Sequence, residues 1–147
     1  MTEQAHATVD ARRDSLIVAS YSLTTAGFWL MNGAFQVLDQ DVADEVVGEA
    51  VRDALGQSRT DVAVPDWSVL PIAPILAALG LKSFAAYVKG TKQVGVSVGE
   101  STTLTPTRNA GAREGFVEIE DASASIARDP DPAVLGGAIR HALLTAQ

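Results

Sequence analysis

Hydrophobic and polar positions alternate, cluster or recur every three to four residues along this chain, and the pattern changes several times. Residues 16–23 (Leu-Ile-Val-Ala-Ser-Tyr-Ser-Leu) are rich in β-prone side chains and predict a first strand, broken at Thr24-Thr25-Ala26-Gly27. Residues 28–31 and 35–38 predict two short strands joined at Asn32-Gly33, a dipeptide suited to a hairpin turn. Val46, Val47, Ala50, Val51, Ala54 and Leu55 then recur at helical spacing. Asp41 is expected to cap that helix, with Asp44 in its first turn and Gly56 at its end.

Residues 57–66 are polar and read as a connection. Residues 67–79 are apolar nearly all round and predict a well-buried helix, with Pro71 tolerable in a first turn and Gly80 closing it. Residues 84–88 fit either strand or helix. Val94-Gly-Val-Ser-Val98 alternates, and with the Thr-rich 102–107 it predicts a hairpin through Gly99-Glu100. Residues 116–119 and 123–127 predict short strands, and 132–144 a closing helix. Residues 1–13 are polar and mixed in charge, and read as a flexible N-terminal tail ahead of a single domain over 14–147.

The two ends of this map resemble each other. At an offset of 88, Gly27-Phe28 meets Gly115-Phe116, Asp41 meets Asp129, Val46 meets Val134 and Gly48 meets Gly136. Ala50 meets Ala138, Arg52 meets Arg140, and Ala54-Leu55 meets Ala142-Leu143. Two copies are too few for a solenoid, so the implied arrangement is two β-β-α units on a shared sheet. Glycine costs a helix about 1 kcal/mol relative to alanine. Gly48 and Gly136 therefore predict a close approach of each helix to the sheet. The expected fold is α+β: a mainly antiparallel sheet of about six strands with three packed helices.

Composition narrows the function classes. The chain has 147 residues, 47% of them hydrophobic, which suits one ordinary domain. It has no cysteine, which excludes disulfides and thiolate metal sites. The longest apolar run, 69–81, is interrupted by two prolines and too short to span a bilayer, and residues 1–13 lack the pattern of a secretory signal. A cytoplasmic protein without membrane contact is expected.

The net charge of −7 is unevenly spread. Residues 1–66 carry four basic and eleven acidic groups, 67–113 five basic and one acidic, and 114–147 two basic and six acidic. Acidic ends around a mildly basic middle suit a protein that meets a cationic partner. Solubility alone would also account for them.

Catalytic chemistry finds little support. His6 lies in the expected tail and His141 on the last helix, with no nucleophile paired to either. No His-x-x-x-His, calcium-type acidic loop or nucleotide-binding glycine motif is present. No catalytic residue, metal ligand or cofactor is expected. Lys89-Gly90-Thr91-Lys92 reads as a solvated turn. Asp41, Glu45, Glu49 and Asp53, spaced by four, form a carboxylate stripe opposite the apolar helix face. The stripe is either an ordinary solvated face or an acidic surface that docks a basic protein.

Gly27-Phe28-Trp29, Ser58-Arg59, Trp67, Lys82-Ser83 with Lys89-Gly90, Thr105-Pro-Thr-Arg-Asn109 and Gly115-Phe116 occur in an order that resembles the immunity proteins of bacterial contact-dependent growth inhibition systems. The resemblance covers roughly residues 15–145. It implies a non-enzymatic, cytosolic protein that binds and neutralises the C-terminal toxin domain of its system, commonly a basic nuclease and here expected to be a tRNase. Those motifs belong to the scaffold, so Lys82, Lys89 and Arg108 are not taken as toxin contacts. Asp41, Glu45, Glu49 and Asp53 are the expected toxin-binding residues. The alternative is a small nucleic-acid-binding module using the basic central segment, and direct nucleic-acid binding is not expected under the first reading.

Overall fold

Ala5, Ala7, Val9 and Ala11 alternate with His6, Thr8, Asp10 and Arg12, and that period of two makes a strand where a tail is expected. The computed structural model describes residues 4–147. The chain runs β1 (Ala5–Arg12), β2 (Ser15–Leu23), β3 (Trp29–Asp39), α1 (Asp44–Gly56), α2 (Ala73–Leu79), α3 (Phe84–Val88), β4 (Lys92–Val98) and β5 (Thr102–Asn109). It ends with α4 (Gly111–Glu114), β6 (Phe116–Glu118), a 3-10 turn over 120–122, β7 (Ala124–Ile126) and α5 (Pro132–Thr145). The expected tail over 1–13 is thus corrected for 5–12, and its residues 1–3 lie outside the described residues.

The α+β expectation holds, with more elements than foreseen: one antiparallel sheet of seven strands, ordered β3-β2-β1-β4-β5-β6, with β7 also paired to β5. β1 lies in the middle of the sheet, bonded to β2 on one side and β4 on the other. Helices cover both faces. On one, Ala7, Val9, Leu16, Val18, Val94, Val96 and Leu104 pack against Val47, Val51, Leu135 and Ile139 of α1 and α5. On the other, Ile17 and Ala19 meet Ile72, Ile75, Leu76 and Tyr87 from the α2–α3 segment.

Three local expectations change. The Asn32-Gly33 turn is a bulge within the continuous strand β3, opposite Ser20. There Gly33 adopts φ +92°, and the Asn32 amide donates to the Ser20 and Ser22 hydroxyls at 2.8 and 3.0 Å. The helix expected from 67 begins only at Ala73, with Pro74 in its first turn. Trp67, Val69 and Leu70 are therefore outside it and 48–67% exposed. Asp41 does not cap α1: the cap position is Ala43, without a side-chain hydrogen bond. Gly80 does end α2, in the left-handed conformation.

The repeat is real in three dimensions, and it extends beyond the segments first aligned. Moved by 88, β1 falls on β4, β3 on β6 and β7 together, and α1 on α5, while β2 falls on β5 with a small slip. The bulge of β3 coincides with the 3-10 turn between β6 and β7. The approximate dyad passes between β1 and β4, where Ala7 pairs with Val96 and Thr8 with Gly95.

Its clearest mark is the helix pair. A Cβ on Gly48 would lie 1.8 Å from the Pro132 carbonyl oxygen, and one on Gly136 would lie 1.8 Å from that of Asp44. Residues 44 and 48 map onto 132 and 136, so the two contacts are reciprocal. The glycines bring helix to helix, not helix to sheet as their positions suggested.

Candidate functional site

The four carboxylates picked out by spacing are all exposed. Glu45, Glu49 and Asp53 lie along the outer side of α1, because Val47, Gly48, Ala50, Val51 and Ala54 turn inward. Asp41 lies in the turn before the helix, so the helix itself presents three of the four. None of them makes a side-chain hydrogen bond or ion pair among the described residues, where the ion pair is Arg140 to Asp44, Nε to Oδ1 at 2.8 Å. Asp44 is thereby withdrawn from the ridge. What remains is a row of unneutralised carboxylates that can attract and hold cationic side chains.

A second titratable cluster is interior. Asp10 is buried on the α2–α3 side of β1, its Oδ2 accepting from the Tyr87 hydroxyl and its Oδ1 from the Gln93 amide at 2.8 Å. Burial pushes its carboxyl up to about 6, against the pull of those hydrogen bonds and of nearby Arg12. Arg12 lies over the Tyr87 ring at 5.0 Å and donates Nε to the Tyr87 carbonyl at 3.1 Å. The cluster ties the α3 end to the sheet, with Asp10 and Tyr87 1% and 0% exposed. His6, on the same strand, bonds Ser97 Oγ through Nδ1 at 2.8 Å, packs edge-on to Tyr21, and is held down to about 4 by burial. His141 is exposed. Among the described residues no cluster of three or more His, Cys, Asp or Glu could hold a metal ion. No helix there is long and apolar enough to cross a membrane.

Spacing alone missed an exposed apolar patch. Phe28 and Trp67 stack at 6.2 Å, with Val62, Val64, Val69 and Leu70 exposed on the same stretch of chain. The aromatic pair joins the β2–β3 turn to the segment after α1. That segment is anchored to β2 by Leu23 and Val62, whose amides each donate into the other strand at 2.8 and 3.1 Å, to Arg59 and Leu23. The available signal was Pro65, Pro71 and Pro74 within an apolar run, which argues for extended chain more than for helix.

The motif residues have structural employment. Ser58 Oγ donates within reach of the Tyr21 and His6 carbonyls at 2.6 and 3.0 Å and accepts from the His6 amide at 3.1 Å, locking the end of α1 to two strands. Ser83 caps α3. The Asn109 amide donates to the Val88 and Thr91 carbonyls at 2.6 and 2.9 Å.

Comparison with known proteins identifies the scaffold. The family model of the CDI immunity protein, CdiI, matches residues 5–145. A solved protein of unknown function from Neisseria meningitidis, NMB0488, superposes with a TM-score of 0.82 at 20% identity, covering 99% of this chain and 96% of its own. A chain of the CdiA-CT/CdiI toxin and immunity complex from Yersinia pseudotuberculosis superposes equally well, with a TM-score of 0.82 at 20% identity, covering 99% and 98%. No curated protein matches. The similarity to the solved structures establishes a shared fold, and the family match over nearly the entire chain establishes kinship: the protein belongs to the CDI immunity protein family.

Proposed function

We propose that this immunity protein neutralises a basic nuclease toxin domain, a tRNase, by stoichiometric binding, and that Asp41, Glu45, Glu49 and Asp53 form the docking ridge. The observation that carries this reading is the row of unpaired, exposed carboxylates on α1 in a member of the immunity family. Such a row raises the encounter rate with a cationic partner and stands in for nucleic-acid phosphate at the toxin surface. Inhibition then needs a complementary surface and no chemistry from the immunity protein itself. Discrimination against other toxins comes from unfavourable contacts as well as favourable ones.

The test uses the toxin domain encoded beside this protein. Equimolar immunity protein is expected to abolish tRNA cleavage in vitro, and co-expression to restore growth. The Glu45→Lys/Glu49→Lys/Asp53→Lys variant is expected to associate at least about tenfold more slowly at low salt, with a flattened salt dependence. Intact cleavage at equimolar wild-type protein sinks the neutralisation reading. An unchanged association rate in the triple variant removes the ridge from it.

A further inference from the structure

The pseudo-dyad relates Arg52 to Arg140, and the two arginines have opposite fates. Arg140 is engaged through all three nitrogens: Nε pairs with Asp44 Oδ1 at 2.8 Å, Nη1 donates to the Gln40 carbonyl at 2.7 Å, and Nη2 donates to the Val42 carbonyl. The residues standing at the corresponding places around Arg52 are Pro132 for Asp44, Arg128 for Gln40 and Pro130 for Val42. Pro132 brings no carboxylate. The Arg128 carbonyl is taken by the Thr102 hydroxyl at 2.9 Å. Among the described residues, Arg52 makes no hydrogen bond and no ion pair.

Arg52 lines a cavity of about 280 Å³ together with Arg59, Arg128, Ser58 and Asp129. Two of these arginines are pre-positioned. Arg59 Nη1 donates to the Gly56 and Ser58 carbonyls, both at 2.9 Å, just past the end of α1. Arg128 Nε donates to the Gly99 carbonyl at 2.9 Å. Arg52 and Arg59 therefore line one opening in which Asp129 is the carboxylate among the described lining residues, in a protein whose net charge is −7. Arginine's planar fork suits carboxylate and phosphate oxygens, and anchoring its neighbours in advance lowers the ordering cost of binding.

We propose that this cavity is an oxyanion-binding site, with Arg52 as its principal ligand and Arg59 as a flanking cation. The group it takes is a phosphate or a carboxylate, filling the place that Asp44 fills beside Arg140. Two sources carry that chemistry: a free phosphate, or an acidic side chain of the toxin domain. The second rests on the toxin-binding reading above; the first does not.

The full-length protein is titrated with inorganic phosphate while the arginine Nε–Hε signals are followed by NMR, with sodium chloride at matched ionic strength as the control. Saturable shifts at Arg52 and Arg59 beyond the chloride control are expected if the source is free phosphate. In Arg52→Gln the affinity reported by Arg59 should fall by about tenfold, and Arg52→Lys should recover part of it. If the source is the toxin, phosphate shifts stay weak, toxin affinity falls by about tenfold in Arg52→Gln, and Arg52→Lys again recovers part. The proposal is overturned when phosphate acts no differently from chloride and toxin affinity is the same in all three proteins. It is equally overturned when phosphate binds Arg52→Gln as well as wild type. A wild-type protein that fails to bind the toxin at all refutes the neutralisation reading, and the phosphate titration then decides the site alone.

Discussion

Two buried titratable residues on β1 pull the pH dependence of stability in opposite directions. Asp10, raised by burial from 3.8 to about 6, keeps its proton in the folded protein between those values while the unfolded chain has lost it. Folding therefore takes up a proton there, and stability rises as pH falls through that window. His6, lowered by burial from 6.5 to about 4, is neutral in the folded protein where the unfolded chain is charged, so stability falls as pH drops from 6.5 to 4. The two effects largely offset each other in the wild type. Asp10→Asn should leave the His6 contribution unopposed, and its urea-unfolding free energy should decline more steeply than wild type between pH 7 and 4. His6→Gln should decline less steeply. Parallel profiles for the three proteins would refute this account, since the remaining carboxylates are common to all. Neither role was legible in the sequence, because burial depends on where β1 sits. The carboxylate ridge was legible, because spacing by four on a helix defines a face before any tertiary contact. Arg52 was not: its lack of a partner is visible only against Arg140.

At the scale of elements, segments with strong periodicity were readable and segments defined by neighbours were not. The core helices α1 and α5 and the β4–β5 hairpin follow from their apolar positions. β1 is not legible in the pattern because its core face is mainly alanine and its other face carries Thr8 and Asp10, polar residues that are 3% and 1% exposed. The apolar run after 66 departs from the expected helix for the converse reason. Its prolines delay the helix to Ala73 and leave Trp67, Val69 and Leu70 in the open. The helix glycines marked a close approach without naming the partner. Since a Cβ at Gly48 or Gly136 would collide with backbone and not with a movable side chain, α1 and α5 must separate to admit it. Gly48→Ala and Gly136→Ala should each destabilise the protein by about 3 kcal/mol, despite alanine's better helix propensity. Thermal unfolding should show a fall in Tm of roughly 6–12 °C. Gly56→Ala, with open space at its Cβ, serves as the control and should change Tm little. A tolerated Gly48→Ala would mean that the helix pair is looser than its geometry.

Across the whole molecule, the repeat detected at an offset of 88 understated the symmetry, since β1, β2, β4 and β5 carry little sequence likeness to one another. Backbone hydrogen bonding, which is blind to side chains, makes them equivalent. Each half contributes three sheet positions and one long helix, and neither half is closed on its own. Separating them would unzip the β1–β4 ladder and expose Val47, Val51, Leu135 and Ile139 together. The connection between halves, 57–91, includes an exposed stretch around 63–70 where the main chain leaves the sheet. Two polypeptides divided within that stretch, such as 1–66 and 67–147, should each be largely unfolded alone, because each leaves half a core facing water. Mixed in equal amounts, they should recover the circular-dichroism spectrum of the intact protein, with a midpoint that rises with concentration as association supplies the missing interface. The acidic ridge lies wholly in the first fragment and much of the second core layer in the other, so toxin inhibition should return only with the mixture. A first fragment that folds and inhibits by itself would refute the dependence of the ridge on the pseudo-dyad.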